Sequence, residues 1–596
     1  MSRALRTTLL GVLGVAALSC DGRKGFMGRD ELGLPSSKVV ELNLSRGVSE
    51  RGSATLFGPI PDTSYADLLE VLRDIDPEDT KGVFVRLGTA NVSLSHAGEL
   101  GRRLAALKEK GLTITCHADD LDNSTVFFFA RACSSVWLTP TGGVDSVGLA
   151  FQLMFAKSLL DKLGVGVDFL QVGKYKGAQE TYTRDEPSPE ARASVEEALA
   201  NLRAAWLEGV REGRGEGAVS AVEDGPHTAA RAKELGLVDH LGYVDEARKS
   251  ALDAAEAKSP DVVFGGPPGK QKGDGLDELV RALTGAEGMG VPHVAVVRAV
   301  GAITMEAGGG LGGGEGITER ELGRTLTKLT EDDDVKAVVL RIDSPGGSAL
   351  ASDLLWHKLM KLREKKPLVV SVGGMAASGG YYLSCAGSTI FAEPTSILGS
   401  VGVVGGKFSL GGALSSVGVN VVTIPAAPDP IKARRAAYLS PFDRWDDPTR
   451  ARVEEGMQAI YDTFIQRVAE GRGLSSEEVA KGAEGRIYGG VRAKELKFID
   501  ELGGLDDAIQ HALQKADLGE TGRVKLVGEE PALSALLGGS PDAEARVMEG
   551  ARRDLDPLAS WIDKLPESAR VWIDGVTPMT KGETALLLVP FALAPQ

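Results

Sequence analysis

Residues 337–406 have the sequence AVVLRIDSPGGSALASDLLWHKLMKLREKKPLVVSVGGMAASGGYYLSCAGSTIFAEPTSILGSVGVVGG. The apolar run at 337–342 predicts a buried parallel strand that ends in a glycine turn, and helical periodicity resumes at Ser348. A second apolar run, 367–372, leads into the small residues around Ser378. Both junctions lie at carboxyl ends of predicted strands, where open α/β sheets place their functional sites.

The residue types at the two junctions suit acyl transfer. A serine nucleophile needs little bulk around it and a helix N-terminus behind it, and an oxyanion needs backbone N–H donors that no Cβ crowds. Ser378 is therefore predicted to be the nucleophile, with Gly346 and Gly347 as the oxyanion donors. The alternative is a helix-capping serine and ordinary turn glycines. Two such junctions one βα unit apart favour the catalytic interpretation.

Two motifs connect the chain to a known family. V-L-R-I-D-S-P-G-G-S (339–348) and G-G-M-A-A-S-G-G-Y-Y (373–382) resemble the C-terminal half of the long, two-domain signal peptide peptidase A family. The similar order of elements extends over residues 39–518. The resemblance implies a Clp-protease/crotonase-like fold, a Ser/Lys dyad, peptide substrates and a ring-like homo-oligomer, expected to be a homotetramer.

Self-comparison reveals two copies of one unit. V-F-V-R-L at 83–87 aligns with V-V-L-R-I at 338–342, and R-A-K-E-L occurs at both 231–235 and 492–496. The predicted architecture is therefore two α/β domains of the same fold, and with the fold that the resemblance implies the predicted fold class is α/β, a tandem duplication of a Clp-protease/crotonase-like domain.

The duplication sets the predicted domain boundaries. The linker is rich in glycine and proline, and one helix is predicted in it at 276–284. The segments are a signal peptide at 1–20, an N-terminal domain at 38–257, a linker at 258–292, a C-terminal domain at 293–518 and an extension of unassigned role at 519–596.

The two copies differ at the predicted site. In the first copy, residues 88–92 (GTANV) replace the glycine turn, and the serine position falls at or beside Asn123 and Ser124. Ser124 is interpreted as a helix cap rather than a second nucleophile. The first copy keeps Q-V-G-K-Y-K-G-A at 171–178, which resembles the family segment that carries the general base. That match implies Lys176 as the base.

A lysine can act as a base only when it is neutral. A reference pKa of about 10.4 leaves roughly one molecule in a few thousand neutral at pH 7, so burial must lower the pKa by several units. The alternative is a surface lysine pair, with Lys174 as the fallback base. Histidine is disfavoured because none lies between Ser378 and Gln510, and His357 is interpreted as exposed or structural.

Lys176 and Ser378 belong to different copies, so one site is predicted to be assembled from both. Where the lysine segment recurs in the second copy, residues 430–435 (PIKARR) form a charged run that is expected to be exposed. Residues 396–404 offer either an edge for an extended peptide substrate or an ordinary core strand.

Composition limits the classes of partner. The net charge of −16, from 83 acidic and 67 basic residues, argues against a nucleic-acid partner. The chain contains no HExxH, Cys-x-x-Cys or P-loop motif, so no metal or cofactor is expected.

The N-terminus predicts export. Arg3 and Arg6 precede an apolar run at 9–18 that is too short to span a bilayer. Residues 17–20 (ALSC) resemble a lipoprotein signal box, which implies lipidation at Cys20. An ordinary cleaved signal or a signal anchor is the alternative. The predicted location is the bacterial inner membrane, facing the periplasm, through a lipid anchor.

The remaining cysteines, Cys116, Cys133 and Cys385, are odd in number and are expected to be buried free thiols. Taken together, the predicted function is a membrane-associated serine endopeptidase that degrades peptides, in particular cleaved signal peptides. Two alternatives stay open, a crotonase-like enzyme acting on acyl thioesters and an inactive peptide-binding scaffold.

Overall fold

The computed structural model describes residues 38–50, 54–55, 58–59, 64–266, 290–306, 316–527 and 585–588. The predicted signal peptide with Cys20, the predicted linker helix at 276–284 and most of the C-terminal extension lie outside these residues. Among the helices of the described part, none has the length and apolar character needed to cross a bilayer.

The first copy alternates strands and helices. Its N-terminal part consists of β1 (Val39–Asn43), β2 (Ala54–Thr55), β3 (Gly58–Pro59), α1 (Tyr65–Asp74), β4 (Gly82–Gly88), α2 (Leu94–Glu109), β5 (Thr113–Ala118), β6 (Leu121–Asp122), α3 (Asn123–Ala132), β7 (Ser135–Leu138) and β8 (Gly143–Asp145). It continues with α4 (Lys157–Lys162), β9 (Gly166–Val172), a 3-10 turn (Gly177–Gln179), α5 (Glu180–Thr183), α6 (Pro189–Arg214), α7 (Glu216–Ala221), β10 (His227–Thr228), α8 (Ala229–Glu234), β11 (His240–Leu241), α9 (Val244–Ala254) and β12 (Asp261–Phe264).

The second copy repeats this alternation. Its first part consists of β13 (His293–Val300), β14 (Ile303–Thr304), β15 (Ile317–Thr318), α10 (Glu319–Glu331), β16 (Val335–Ser344), β17 (Gly346–Ser348), α11 (Ala349–Lys365), β18 (Leu368–Ala377), α12 (Gly379–Ser384), β19 (Thr389–Ala392) and β20 (Ile397–Gly399). The rest is β21 (Val403–Ser409), α13 (Gly411–Ser416), α14 (Pro430–Arg435), α15 (Asp447–Arg472), α16 (Ser476–Gly482), β22 (Ile487–Gly489), α17 (Gly490–Glu495), β23 (Glu501–Leu502), α18 (Leu505–Lys515), β24 (Val524–Val527) and, from the C-terminal extension, β25 (Ala585–Leu588).

Each copy builds a parallel sheet with the same strand order. The order is β11-β7-β5-β4-β1-β12 in the first copy, and β23-β19-β18-β16-β13-β24 in the second. The long helices α6 and α15 also correspond, since each has 26 residues and begins with proline at its first turn. The predicted α/β fold and tandem duplication are confirmed. β12, at the start of the predicted linker, is the edge strand of the first sheet.

The central strands read in the sequence as continuous apolar runs because both of their faces are covered. β16 and β18 are buried along most of their lengths and end at the two junctions that hold Gly346 and Ser378. α11 begins cleanly after the glycine turn because the Ser348 side chain accepts a hydrogen bond from the Ala351 N–H at 3.2 Å.

Elements of the two copies join around the second junction. β9 pairs antiparallel with β21 over the whole of both strands, from Val172 opposite Val403 to Gly166 opposite Ser409. α6 packs on the second copy as well, where Ser194 Oγ accepts from the Ile487 N–H at 3.0 Å. The segment that carries Lys176 lies between β9 and α6, so both of its ends are held against the second copy.

A buried charge cluster also links the copies. The fully buried Arg341 of β16 donates to Glu50 at 2.9 Å and to Glu99 at 2.8 Å, both from the first copy. Arg341 and His96 lower the pKa of the Glu50 carboxyl, although burial opposes this shift. A buried charge that lost its partner would be strongly destabilising, so this cluster favours one relative placement of the copies.

The structure corrects one expectation about cysteines. Cys116 on β5 and Cys133 at the end of α3 form a disulfide, with their Cα atoms 5.9 Å apart. The expectation of free thiols was wrong for this pair because an odd count allows one bridge and one free cysteine. Cys385 is free and buried as predicted, and burial raises its pKa to about 12.

Candidate active site

Ser378 lies at the predicted junction, between β18 and α12. It is fully buried, its φ is 56°, and its side chain makes no capping hydrogen bond to the helix. Its N–H donates to the Gly399 carbonyl at 2.8 Å, which helps to hold this left-handed conformation. Non-glycine residues rarely adopt such a φ, and strained backbone of this kind clusters at functional sites. The interpretation of Ser378 as a side-chain helix cap therefore does not hold.

The two glycines after Ser378 allow close packing. A Cβ at Gly379 would lie 2.8 Å from Ser352 Oγ, and one at Gly380 would lie 2.6 Å from the Ser344 carbonyl oxygen. Any larger residue would push the start of α12 away from the end of β16. Glycine here sets the distance between the serine and the glycine turn.

Lys176 reaches Ser378 from the first copy. Its side chain is fully buried, and Nζ lies 2.6 Å from Ser378 Oγ, 2.7 Å from the Ser400 carbonyl oxygen and 2.8 Å from Ser400 Oγ. Burial lowers the pKa of Lys176 well below its usual value. A neutral amine has two hydrogens and one lone pair. If both hydrogens go to Ser400, the lone pair faces Ser378 Oγ.

Residues of the second copy hold the lysine segment in place. The Tyr175 N–H donates to the Glu484 carbonyl at 2.8 Å, and the Arg486 guanidinium lies 3.9 Å from the centre of the Tyr175 ring. A Cβ at Gly485 would lie 2.5 Å from the Lys176 backbone nitrogen, and the φ of this glycine is 85°. Both the close contact with the Lys176 backbone and the positive φ therefore require glycine at this position. The position of Lys176 therefore depends on a loop about 300 residues away in sequence.

Sequence reasoning missed Ser400. This residue is fully buried, has a φ of 56°, and contacts Lys176 Nζ through both its carbonyl and its hydroxyl. The signal that could have found it is the repeat itself. Ser146-Val147-Gly148 in the first copy matches Ser400-Val401-Gly402 in the second, and both triplets follow strands in equivalent positions.

A Ser400→Ala variant should lose about tenfold in kcat with KM unchanged, because one hydrogen bond that orients the amine is lost while the carbonyl contact remains. Steady-state kinetics on a peptide substrate measures this. The control is Ser384→Ala, since the buried Ser384 hydroxyl donates at 2.8 Å to the Gly380 carbonyl within α12. Wild-type kcat in Ser400→Ala would show that the Ser400 hydroxyl has no part in orienting the amine.

The predicted oxyanion turn lies beside the serine. Gly346 and Gly347 have φ values of 108° and 154°, and a Cβ at Gly347 would lie 2.1 Å from the Ile303 carbonyl oxygen. A Cβ at Gly379 would lie 3.2 Å from Gly346 Cα, so the turn packs directly against the start of α12. The Gly346 N–H donates to Ser344 Oγ at 3.2 Å. The turn thus has the backbone freedom and the position that oxyanion donors need, and an oxyanion would take the Gly346 N–H from Ser344 Oγ.

The corresponding position in the first copy is not a serine nucleophile. In the first copy β6 pairs with β8, and in the second copy the end of β18 pairs with β20 in the same way. This correspondence places Asn123 at the position that Ser378 has in the second copy. The Asn123 Oδ1 accepts from Ser146 Oγ at 3.1 Å. The expectation that Ser124 caps the helix was wrong, because the Asp122 carboxylate caps α3 and also accepts from Ser124 Oγ at 2.9 Å.

The other candidate bases lie elsewhere. Lys174 is exposed and pairs with Glu484 at 3.1 Å. Lys432 is exposed on α14, and His357 is exposed on α11. Of the sequence-predicted site residues, the structure brings together Ser378, Lys176, Gly346 and Gly347, while Cys20 lies outside the described residues.

No group of side chains in the described part of the chain has the composition of a metal site. The Ser378 surroundings contain hydroxyl, amine and backbone groups, which are the groups that serine-based acyl transfer uses.

Comparisons with known proteins relate both copies to one family. Residues 106–258 and 360–519 match Peptidase family S49, and residues 317–398 match Clp protease. Curated relatives include the chloroplastic serine protease SPPA of Arabidopsis thaliana, 30% identical over 454 residues that make up 75% of this chain and 64% of that protein. Protease 4 of Haemophilus influenzae is 30% identical over 70% of this chain and 66% of its own length.

Protease 4 of Salmonella typhi is 29% identical over 86% of this chain and 78% of its own length. The chain thus spans slightly less than two thirds of the Arabidopsis and Haemophilus relatives. The S49 matches fall one in each copy and together cover more than half of the chain. The protein belongs to peptidase family S49.

Proposed function

We propose that this protein is a serine endopeptidase with one Ser/Lys dyad, in which Ser378 is the nucleophile and Lys176 the general base. The observation that carries the proposal is the buried contact of 2.6 Å between Lys176 Nζ and Ser378 Oγ. Burial alone lowers the pKa of this lysine well below its usual value, which favours the neutral amine that a general base needs. The protease names of its relatives support the same activity.

The groups present account for each proton in the reaction. As Ser378 Oγ bonds to the substrate carbonyl carbon, its proton passes to Lys176 Nζ and the carbonyl oxygen becomes an oxyanion held by the glycine turn. The C–N bond then breaks, and the ammonium gives the proton to the leaving amine. Water then attacks the acyl-serine and loses a proton to Lys176. As the bond between Oγ and the acyl carbon breaks, Lys176 returns that proton to Ser378 Oγ.

The direct test is hydrolysis of an internally quenched apolar peptide by the purified protein. We expect turnover that a fluorophosphonate blocks, because this reagent reacts with activated serines. Binding of an acyl-CoA without peptide hydrolysis would favour the thioester enzyme instead. Peptide binding without any hydrolysis or labelling would favour an inactive scaffold.

The proposed substrates are cleaved signal peptides, met at the periplasmic side of a bacterial inner membrane. Export is supported by the disulfide between Cys116 and Cys133, since such bonds persist in oxidising compartments. It is also supported by the N-terminal sequence, in which Cys20 lies two residues after the end of a short apolar run.

Lipidation at Cys20 is the proposed membrane anchor. A Cys20→Ala variant should move from the membrane fraction to the soluble fraction, because the acyl chains are lost. Mass spectrometry of the mature N-terminus should find a lipid-modified Cys20 in the wild type. A Cys385→Ala variant, altered at a buried thiol, should stay with the membrane. An unmodified mature N-terminus at another residue would reject the anchor.

A homo-oligomer, with a homotetramer as the expected state, is the proposed assembly. Residues 419–429 follow α13 as β9 follows α4, yet they form neither helix nor strand. Val422 is 79% and Ile424 is 88% exposed. β9 covers its apolar residues by pairing with β21 of the same chain. Residues 419–429, the counterpart of β9, leave theirs exposed and are therefore suited to pair with a second chain. The counterpart of β21, residues 147–155, carries the exposed Met154 and is the proposed partner surface. When two different surfaces join head to tail, the copies form a ring if the rotation from one copy to the next closes.

Val422→Lys and Met154→Lys should each reduce the mass in solution toward that of a single chain, because a charge would be buried in the contact. Light scattering after gel filtration measures this. Val491→Lys, at an exposed valine of α17 outside both segments, is the control and should keep the wild-type mass. An unchanged mass in both test variants would contradict this contact.

A further inference from the structure

A short loop of the second copy lies against the segment that carries Lys176. Residues 484–486 (EGR), here called the strap, connect α16 to β22. We propose that Arg486, the last residue of the strap, is a positioning residue that holds Lys176 against Ser378 and keeps the amine enclosed. This inference rests on the proposed roles of Lys176 and Ser378.

The backbone of the strap contacts both segments that meet at the amine. The Glu484 carbonyl accepts from the Tyr175 N–H at 2.8 Å, and the Arg486 carbonyl accepts from the Ser400 N–H at 2.5 Å. Tyr175 directly precedes the base, and Ser400 supplies two oxygens that contact Lys176 Nζ. A movement of the strap would therefore displace the base and its hydrogen-bond partner together.

The side chain of Arg486 makes a second contact with the lysine segment. Its guanidinium lies 3.9 Å from the centre of the Tyr175 ring and donates to the Tyr175 hydroxyl at 2.5 Å. A guanidinium is planar, so it can stack on a ring while its edge donates hydrogen bonds, whereas a lysine ammonium is a compact charge. Arginine at this position therefore restrains the backbone that carries the base.

The strap also encloses the Lys176 side chain. A Cβ at Gly402 would lie 3.2 Å from the Gly485 nitrogen and 3.2 Å from Lys176 Cδ, so the strap and the lysine side chain pack around the same point. Burial lowers the pKa of Lys176. If the strap moved away, water would reach the amine and its pKa would rise toward the usual value.

Strained backbone is concentrated where the strap meets the site. Glu484, Ser378 and Ser400 have φ values of 61°, 56° and 56°, and they are half of the six described non-glycine residues with a positive φ. Such conformations persist only where the surrounding structure over-determines them. The contacts of the strap thus belong to the same strained arrangement as the two serines.

The first copy has no arginine at the corresponding position. The repeated R-A-K-E-L motif aligns Gly225 with Arg486, and β10 pairs with β8 as β22 pairs with β20. The first copy also has Asn123 at the position of the nucleophile. The arginine therefore occurs in the copy that carries Ser378, which fits a role at the site rather than in the shared fold.

The charges around Lys176 distinguish placement from an electrostatic effect. Besides Lys176, residues 171–180 and 484–486 contain five charged or titratable side chains, Lys174, Tyr175, Glu180, Glu484 and Arg486. The segments of the two serines, 376–380 and 399–402, contain none. Burial rather than any of these charges lowers the pKa of Lys176. Arg486 should therefore act through placement, and a variant that keeps its charge tests this.

Two substitutions at Arg486 provide the kinetic test. Arg486→Lys keeps the positive charge but removes the stacked guanidinium, and Arg486→Met removes both. Each should lower kcat near neutral pH by about tenfold with KM unchanged, because contacts that orient the base are lost. The acid limb of the kcat profile should also move to higher pH, because Lys176 becomes less enclosed.

A purely structural role would give a different result. Loss of folded protein would lower the rate without moving the acid limb. Arg492→Lys is the matched control, since Arg492 pairs with Glu495 within α17, and it should keep the wild-type kcat and pH profile.

An NMR titration separates this inference from the proposed activity. Lysines labelled with carbon-13 at Cε are titrated in Ser378→Ala with and without Arg486→Lys or Arg486→Met, and the Lys176 signal is identified by its absence in Ser378→Ala/Lys176→Met. The Lys176 midpoint should lie at higher pH in both Arg486 variants.

A higher midpoint in both, with no peptide hydrolysis by the wild type, would keep the positioning role and reject the peptidase. An unchanged midpoint in both would overturn the proposal, because the strap would not enclose the amine. A midpoint that moves in Arg486→Met but not in Arg486→Lys would also overturn it, because the charge alone would then be responsible.

Discussion

A Lys176→Met variant should hydrolyse no peptide and yet unfold at a higher temperature than the wild type. Activity is lost because methionine cannot accept the Ser378 proton. Stability rises because the wild-type amine is fully buried and no carboxylate in the described part of the chain acts on it, whereas methionine has a similar length and no charge to desolvate. Most single substitutions destabilise a protein, so a rise in Tm together with the loss of activity is distinctive.

The sign of the pH dependence follows from the lowered pKa of Lys176. Between the folded and unfolded pKa values, the unfolded chain carries a proton on Lys176 that the folded chain lacks, so wild-type stability rises with pH across that window. The difference in Tm between Lys176→Met and the wild type should therefore shrink as pH approaches about 10.4. Wild-type activity should fall as pH drops below the folded pKa, because the amine becomes protonated.

Two other lysines are matched controls. Lys174→Met changes an exposed lysine two residues away, and Lys432→Met changes the exposed lysine in the equivalent segment of the second copy. Both should keep wild-type activity and show no rise in Tm. Activity that survives in Lys176→Met but is lost in Lys432→Met would mean that the second copy carries its own dyad, and the shared site would be wrong.

A Ser378→Ala variant should lose at least about 10³-fold in kcat, because the nucleophile and its proton are both removed and members of one catalytic unit act together. The fold should be little affected. The Ser378 side chain makes no helix-capping bond, so its loss leaves α12 intact. Peptide kinetics and thermal melting measure the two effects.

The control for this variant is Ser124→Ala in the first copy, which should keep full activity. Substantial turnover by pure Ser378→Ala, or loss of turnover in Ser124→Ala, would move the nucleophile to another residue. Adding Lys176→Met to Ser378→Ala should cost little further activity, because the two groups serve one step.

The parts of the fold that sequence could predict are those with local signals. Apolar runs and glycine turns marked β16 and β18, and the repeated motifs revealed the duplication, because each copy keeps the same strand order. The position of Ser378 followed from its strand-to-helix junction. The prediction of Lys176 depended on the family resemblance, because nothing in the sequence around a single lysine indicates that it is buried.

The parts that sequence could not predict depend on contacts between distant segments. Ser400 lies 224 residues from Lys176, and the loop of Glu484 and Gly485 lies still farther along the chain. Nothing near Arg341 in the sequence indicates that Glu50 and Glu99 neutralise it 291 and 242 residues away. Such pairings arise only when the two copies meet.

The disulfide was missed for a related reason. Cys116 and Cys133 are separated by 17 residues, and the pairing of β5 with β7, which begins just after Cys133, brings their Cα atoms to 5.9 Å. An odd number of cysteines is a poor predictor of free thiols, because it is informative only if every cysteine is paired or none is. The distance between two cysteines decides whether they can form a disulfide.

The most direct test of the shared dyad is labelling with a fluorescent fluorophosphonate, followed by peptide mapping, in the wild type, Lys176→Met and Ser378→Ala. We predict that the wild type is labelled at Ser378 alone, at a rate that falls as pH is lowered, and that neither variant is labelled. Labelling of Ser124, or labelling of Ser378 at an unchanged rate in Lys176→Met, would contradict the account.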